Sequence, residues 1–350
     1  MGMEQAVLER NTLQVVMDVL NDVGGSTSPI PTLEEDVYRL RDREREYTIS
    51  PVENHDYGKL YHAPPSGGVP GEIVYFLDTH QRTQLIGHYY TSLGLQVPVH
   101  YSIIMCLILE RRERSFKVWR NPVLEHFVIL PFAFLEDNRA VHEPREGVKV
   151  VDSGIDSPDY TQMRVQSIHA AFAEKERLKL ELLAAWKRET AGASAEYLLH
   201  NGSDLENPND ALDPRIIGWS KNVYLPFKGA KEANVRHLEL KSFQRTAVFK
   251  LEREDDHGAS RKYMWFLKLR EHARHGPEFG LIKPEIIADS DQAAIEKADW
   301  LTYVLLKERQ PATFPATNWD KLIFPIKLCR TYLEGIVPTH ETIRSFFDRS

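Results

Sequence analysis

The chain has 350 residues, 42% of them hydrophobic, and a formal net charge of −7, enough length and apolar content for one large domain or two with a full-sized core. The acidic balance excludes a protein that coats nucleic acid or membrane by bulk charge and leaves a local basic groove as the way to hold a polyanion. Cys106 and Cys329 sit in apolar surroundings at no metal-ligand spacing, which suits a reducing, cytoplasmic interior, and neither a membrane-length apolar run nor a signal-peptide order of residues is present.

Residues 4–23 carry Val7, Leu8, Leu13, Val15, Val16, Val19, Leu20 and Val23 in an amphipathic pattern that stops at Gly24-Gly25, which predicts a helix. A second helix is expected from Thr32, with Glu34 and Glu35 at its start and bases from Arg39 to Arg45 towards its end. Residues 49–70, with Pro51, Pro64, Pro65 and Pro70, read as a surface connection.

Ile73 to Leu77 is a short β-branched and aromatic run, a strand buried on both faces, and it ends on Asp78. Desolvating a carboxylate there costs several kcal/mol, roughly, unless something pairs with it. A metal ion is one such partner; a turn cap through Asp78-Thr79 is the plainer one. Leu85–Tyr90 and Val97–Leu109 read as further strands of an antiparallel meander, and Glu110–Arg114 as a solvated hairpin tip. Phe116–Trp119 and His126–Phe134 resume the apolar pattern.

Residues 158–190 contain no glycine and a single proline at the start, and predict the longest helix of the chain. Tyr197 to Asp204 follows as a short strand that breaks at Asn201-Gly202. Strand, long helix and strand, with a polar residue ending both strands, can bring two ligands together beside one helix. Asn207–Pro214 reads as a loop, Arg215–Val223 as a strand running into a basic tip, and Thr246–Leu251 with Lys262–Leu269 as a strand pair joined by the Glu254–Gly258 turn. Gln292–Lys307, Pro325–Leu333 and Thr339–Phe347 have the helical period.

Five stretches, in this order, resemble the NurA-type nucleases, which process DNA ends beside a HerA-type hexameric ATPase. They are the strand ending Phe76-Leu77-Asp78; Leu198-Leu199-His200-Asn201-Gly202-Ser203 after the long helix; Ile217-Gly218-Trp219-Ser220-Lys221; the Lys262–Leu269 strand; and Phe324-Pro325-Ile326-Lys327-Leu328 running into a helix. The resemblance covers residues 70–335 and implies an α/β fold (an α+β mixed sheet), an RNase H-like core with flanking N- and C-terminal helices. The implied division is an N-terminal helical segment over 1–70, a nuclease domain over 71–335 and a C-terminal helix over 336–350. It also implies a site using Mn²⁺ or Mg²⁺, a homodimer, DNA and a HerA-type ATPase as partners, and a role in DNA repair or anti-phage defence. The chain departs from the family at three places: Asn201 stands where the family has its second aspartate, Thr79 where it has glycine, and the helix after Pro325 lacks the family's histidine, His340 lying beyond it.

Phosphodiester hydrolysis needs charge stabilisation on the phosphate, an activated water and a stabilised leaving oxygen, which hard divalent ions held by clustered carboxylates supply. Asp78 is the first expected ligand. Glu181, flanked on its helix by Leu178 and Ala185, is the second, with Glu174 and Glu189 as alternatives. Asn201 offers an uncharged amide oxygen and Asp204 a carboxylate three residues on, while Lys221 is expected at the scissile phosphate. His80 and His88 read either as ligands and proton carriers or as merely hydrogen-bonded.

Arg245, Lys250, Lys262, Lys268 and Arg270 are expected along a DNA path, with Tyr263 and Trp265 stacking on bases or packing in the core. A competing pattern, Glu239-Leu240-Lys241 with Asp210 or Asp213 upstream, belongs to another nuclease class. The expected function is a metal-dependent DNA nuclease. The alternative is a catalytically weakened or inactive NurA-like subunit that binds DNA and regulates the ATPase. A third reading, an unrelated adaptor, requires Asp78 and Glu181 to lie far apart.

Overall fold

The computed structural model describes residues 2–27, 45–53, 59–60, 71–135, 145–193, 195–202, 213–221, 227–228, 237–253, 261–271, 275–311 and 319–347. The helix expected from Thr32, the Glu254–Gly258 turn, and both Asp204 and Asp210 lie outside the described residues. The strands are β1 (Gly25–Thr27), β2 (Arg45–Pro51), β3 (Lys59–Leu60), β4 (Glu72–Tyr90), β5 (Gln96–Arg112), β6 (Ser115–Val118), β7 (Val123–Leu130), β8 (Val148–Asp152), β9 (Glu196–Asn201), β10 (Ile216–Ser220), β11 (Phe227–Lys228), β12 (Gln244–Arg245), β13 (Phe249–Arg253), β14 (Arg261–Met264), β15 (Leu267–Lys268) and β16 (Leu281–Ala288). The helices are α1 (Gly2–Asp22), α2 (Tyr160–Glu189), α3 (Asp291–Glu308), α4 (Phe324–Ile336) and α5 (His340–Phe347).

β4, β5 and β7 form an antiparallel meander. α2 then carries the chain over the sheet so that β9 joins the other side of β4 in parallel, and β10 follows parallel to β9. The resulting order, β7-β5-β4-β9-β10, is the expected RNase H-like core, a mixed sheet with helices on both faces. Asp159 caps α2 by accepting from the Gln162 N–H at 2.8 Å, and Lys187 and Arg188 fall in its last turn, each end matched to the helix dipole.

Alternation along β4 decides what each face receives. Leu77 joins Leu198, Ile104, Ile108, Leu178, Leu182 and Trp186 under α2. Phe76 points the other way, into the cluster that holds Tyr101, Leu107, Leu199, Cys329, Leu333 and Phe347 beneath α4 and α5. The period of two therefore sends Asp78 to the α4 face.

Three strands depart from the expectation. β16 is antiparallel to both β10 and β14, so it joins the core to a further set of strands, β14-β13-β2-β11. Its pattern is hidden in the sequence by Lys283, Pro284 and Glu285, which interrupt the apolar run. β2, within residues expected partly as a surface connection, pairs with β13, placing Ile49 opposite Leu251. Leu85–Tyr90 is no separate strand: it is the second half of β4, continued past a register shift between Leu85 and Gly87. Beyond that shift β1 runs so close that a Cβ on Gly87 would lie 2.4 Å from the Ser26 carbonyl oxygen, which is why the position takes glycine. No helix among the described residues is long and apolar enough to cross a membrane.

Candidate functional site

Asp78 lies where the carboxyl end of β9 reaches the middle of β4. Leu77 is in register with His200, so the next residues along, Asp78 and Asn201, stand side by side on the α4 face. Asp78 is 1% exposed, and each of its oxygens has a partner. Oδ1 accepts from the Thr79 N–H at 2.9 Å and from the Asn201 amide at 3.1 Å. Oδ2 accepts from Arg330 Nε at 2.9 Å.

Arg330 is delivered by α4. Pro325 in the first turn starts the helix, and Cys329 ties it to β4 through Sγ donating to the Phe76 carbonyl at 3.2 Å. The next residue then reaches Asp78, and its second guanidinium nitrogen donates to His80 Nδ1 at 3.1 Å. A guanidinium has no acceptor, so Nδ1 of His80 carries the lone pair and Nε2 the proton. His80 is pushed down to about 3 by burial first and by Arg330 next, and it stays neutral.

Lys221 follows β10 in the same region. Burial lowers its pKa, the Arg330 charge adds to that, and Asp78 opposes it; Lys327 and Asp320 act more weakly. The site is thus a buried carboxylate paired with Arg330, with Lys221 close enough to feel both of their charges and, more weakly, those of Lys327 and Asp320. Sequence reasoning passed over Arg330, although it falls in the helix for which the resemblance implies a histidine.

The structure brings Asp78, Asn201 and Lys221 together and leaves Glu181 elsewhere. Glu181 belongs to α2 on the opposite face of the sheet, its side chain is 61% exposed, and it pairs with Arg177 at 2.6 Å. Glu174 pairs with the same arginine at 2.7 Å and Glu189 with Arg120 at 3.0 Å. The apolar stripe of α2 was legible in the sequence, but periodicity does not say which side of the sheet that stripe covers.

A Mn²⁺ or Mg²⁺ ion wants several oxygen ligands at about 2.0–2.2 Å. At Asp78 both carboxylate oxygens are engaged by N–H donors, and Asn201 turns its NH₂ rather than its oxygen towards the carboxylate. Among the described residues no group of three or more His, Cys, Asp or Glu side chains is placed to hold an ion. This donor set, as arranged, does not fit a divalent metal.

The α2 face beneath Asn201 is also polar. Lys179 pairs with Glu176 at 2.5 Å, and Lys283 with Glu285 at 3.2 Å, with His200 fully buried nearby. Gly218 sits in register between His200 and Glu285, and a Cβ there would lie 3.2 Å from the Gly202 carbonyl oxygen. The Gly218 position is therefore explained by close strand packing.

Of the basic residues expected along a DNA path, Arg245, Lys262 and Lys268 are buried, and Lys250 and Arg270 are half-buried. Arg245 is fully buried, held by Glu53 at 2.5 and 2.7 Å and by Asp299 at 2.5 Å. Lys268 donates to the Pro277 carbonyl, Arg270 to the Gln310 carbonyl at 2.5 Å, and Lys262 is buried in β14. Lys250 lies on β13 beside Glu252, with which it pairs. Trp265 and Tyr263 are core residues, donating to Thr302 and Asp291. Glu239 and Lys241 lie in and just after a short 3₁₀ turn, and Asp213 pairs with Arg215 at 2.6 Å. His88 bonds Tyr160 at the far end of β4. A cleft of about 700 Å³ lined by Glu72, Arg111, Arg112, Lys117 and Glu196 opens at the start of β4 and β9, away from Asp78.

The chain matches no protein-family model and no curated protein.

Proposed function

We propose that this chain is a NurA-like subunit of a DNA-processing assembly that has weakened or given up catalysis. It binds DNA and regulates a HerA-type hexameric ATPase, as a cytoplasmic homodimer in repair or anti-phage defence. The observation that carries the reading is Asp78 held by Arg330 and Asn201: a resident guanidinium supplies the positive charge that a metal would bring to this carboxylate. With Arg330 taken by Asp78, Lys221 and Lys327 beside the pair give a phosphate backbone its counter-charges. Glu181 on the opposite face weakens the nuclease reading and is what an unrelated adaptor would have. The RNase H-like strand order, together with Asp78 and Asn201 side by side, favours the NurA-like one.

A second reading keeps the chain as an active nuclease using Mn²⁺ or Mg²⁺. The observation favouring it is the place of Asp78 and Asn201, at the carboxyl end of a parallel strand where α/β folds put their chemistry. The test is end-labelled linear DNA incubated with Mn²⁺ or Mg²⁺, with and without the ATPase, beside fluorescence anisotropy for binding. The proposal expects binding that weakens in Lys221→Ala and Lys327→Ala, ATPase activity that changes on mixing, and no cleavage. Metal-dependent cleavage lost in Asp78→Asn establishes the second reading; absence of DNA binding and of any effect on the ATPase overturns both.

A further inference from the structure

The far end of β4 holds a second polar cluster. The register shift between Leu85 and Gly87 brings His88 to the α2 face. His100, in register with Leu85, is on that face four residues before Ile104, which packs under α2. α2 begins here: His88 Nε2 is 2.7 Å from the Tyr160 hydroxyl, and one turn on the Arg164 guanidinium carbon lies 5.8 Å from the Tyr160 ring centre. Ser153 reaches the same end, its N–H donating to the Leu130 carbonyl, and Leu130 follows Ile129, the partner of His100.

Five polar atoms of this cluster lack partners. Both ring nitrogens of the fully buried His100, Nδ1 of the buried His88, Nε of Arg164 and Oγ of the buried Ser153 are shut from solvent with no hydrogen bond. Each such atom has given up its bonds to water and gained none in return, which is costly if left so. Among the described residues nothing accepts from Arg164, no carboxylate acts on His88 or His100, and the Arg164 charge is felt at both. The positive end of a 30-residue helix adds to that field. Asp159 at the start of the helix is engaged by the Gln162 N–H, and the cluster beside it presents hydrogen-bond donors and the Arg164 charge.

We infer that this cluster is a binding site for a small oxyanion, inorganic phosphate or the phosphate of a monoester. Arg164 supplies the counter-charge, and the imidazole N–H groups of His88 and His100 and the Ser153 hydroxyl supply donors. Ten residues of extended strand separate His88 from Asp78, roughly 30 Å at about 3.3 Å per residue. The site stands or falls apart from the reading of Asp78.

The test is calorimetric titration of the full chain with inorganic phosphate, against sodium chloride, in the native protein, Arg164→Gln and Ser153→Ala. The expected result is one phosphate per chain, bound about tenfold more weakly in Arg164→Gln, with the ring signals of His88 and His100 shifting in nitrogen-edited spectra. Displacement of the phosphate by a 5′-phosphorylated oligonucleotide, and not by its unphosphorylated twin, assigns a polynucleotide end; phosphate that stays bound assigns a free anion. No binding at millimolar phosphate overturns the inference. So does binding that both variants leave unchanged, or that leaves the two histidine signals in place.

Discussion

Nε of Arg330 donates to Oδ2 of Asp78 at 2.9 Å, so a guanidinium from α4 neutralises a carboxylate 252 residues earlier in the chain. Asp78 is 1% exposed and the Arg330 side chain 32%. Removing the arginine strands a buried charge, whereas removing both groups does not. Arg330→Gln should lose about 3 kcal/mol in urea unfolding, and adding Asp78→Asn should recover part of it. Coupling below about 0.5 kcal/mol in the double-mutant cycle would falsify the pairing.

Arg245, bonded to Glu53 and Asp299 in the interior, belongs to the fold and not to a DNA path. Arg245→Ala should cost about 3–5 kcal/mol, since two carboxylates lose their partner at once. The conservative Arg245→Lys should keep part of the stability and leave DNA affinity as it was. A uniform fall in DNA affinity with native stability would return Arg245 to the DNA-contacting set.

Glu181 pairs with Arg177 on the outer side of α2. Exposed pairs of this spacing contribute about 0.3–0.5 kcal/mol. Glu181→Gln should therefore shift the thermal midpoint little and change neither DNA binding nor any metal response. Loss of a Mn²⁺-dependent signal in this variant would mean that α2 supplies a ligand after all.

His100 is buried and His126 half-buried, and loss of solvation pushes them down to about 3 and about 4. In the unfolded chain both titrate near pH 6.5, roughly. Between those values the unfolded state takes up protons that the native state refuses, so stability is full above about pH 6.5 and falls as the pH drops towards about 4. Urea midpoints measured across that window in phosphate-free buffer should decline. His126→Asn, which removes the group bonded through Nδ1 to the Tyr101 hydroxyl at 2.6 Å, should flatten the decline.

The elements that the sequence disclosed are those whose period is uninterrupted: β4 up to Asp78, α2, and the three C-terminal helices. β16 escaped because Pro284, tolerated opposite Trp219, sits between two charged residues that form their own ion pair. The neighbourhood of Asp78 and Asn201 was legible as two apolar runs, each ending on a polar residue, separated by a helix, although β4 does not end at Asp78 but continues to Tyr90. Arg330 was not, because an ion pair between β4 and α4 is a tertiary fact with no local pattern. The same holds for Arg245, since a basic residue beside a strand looks alike whether it turns outwards or meets two acids inside.

Glu53, just after β2, accepts from the Val248 N–H 195 residues further along, and β2 itself pairs with β13 beyond that. At about 5–20 residues per second on the ribosome, a strand near the beginning waits on the order of 10–40 seconds for its partner to be made. During that time its hydrogen-bonding edge is open to any other extended chain. Completion of this part of the sheet is therefore a late, high-contact-order event in folding. Slow synthesis, or a ribosome stalled before residue 249, exposes the nascent chain to aggregation and makes it a client for chaperones that cover unpaired strands.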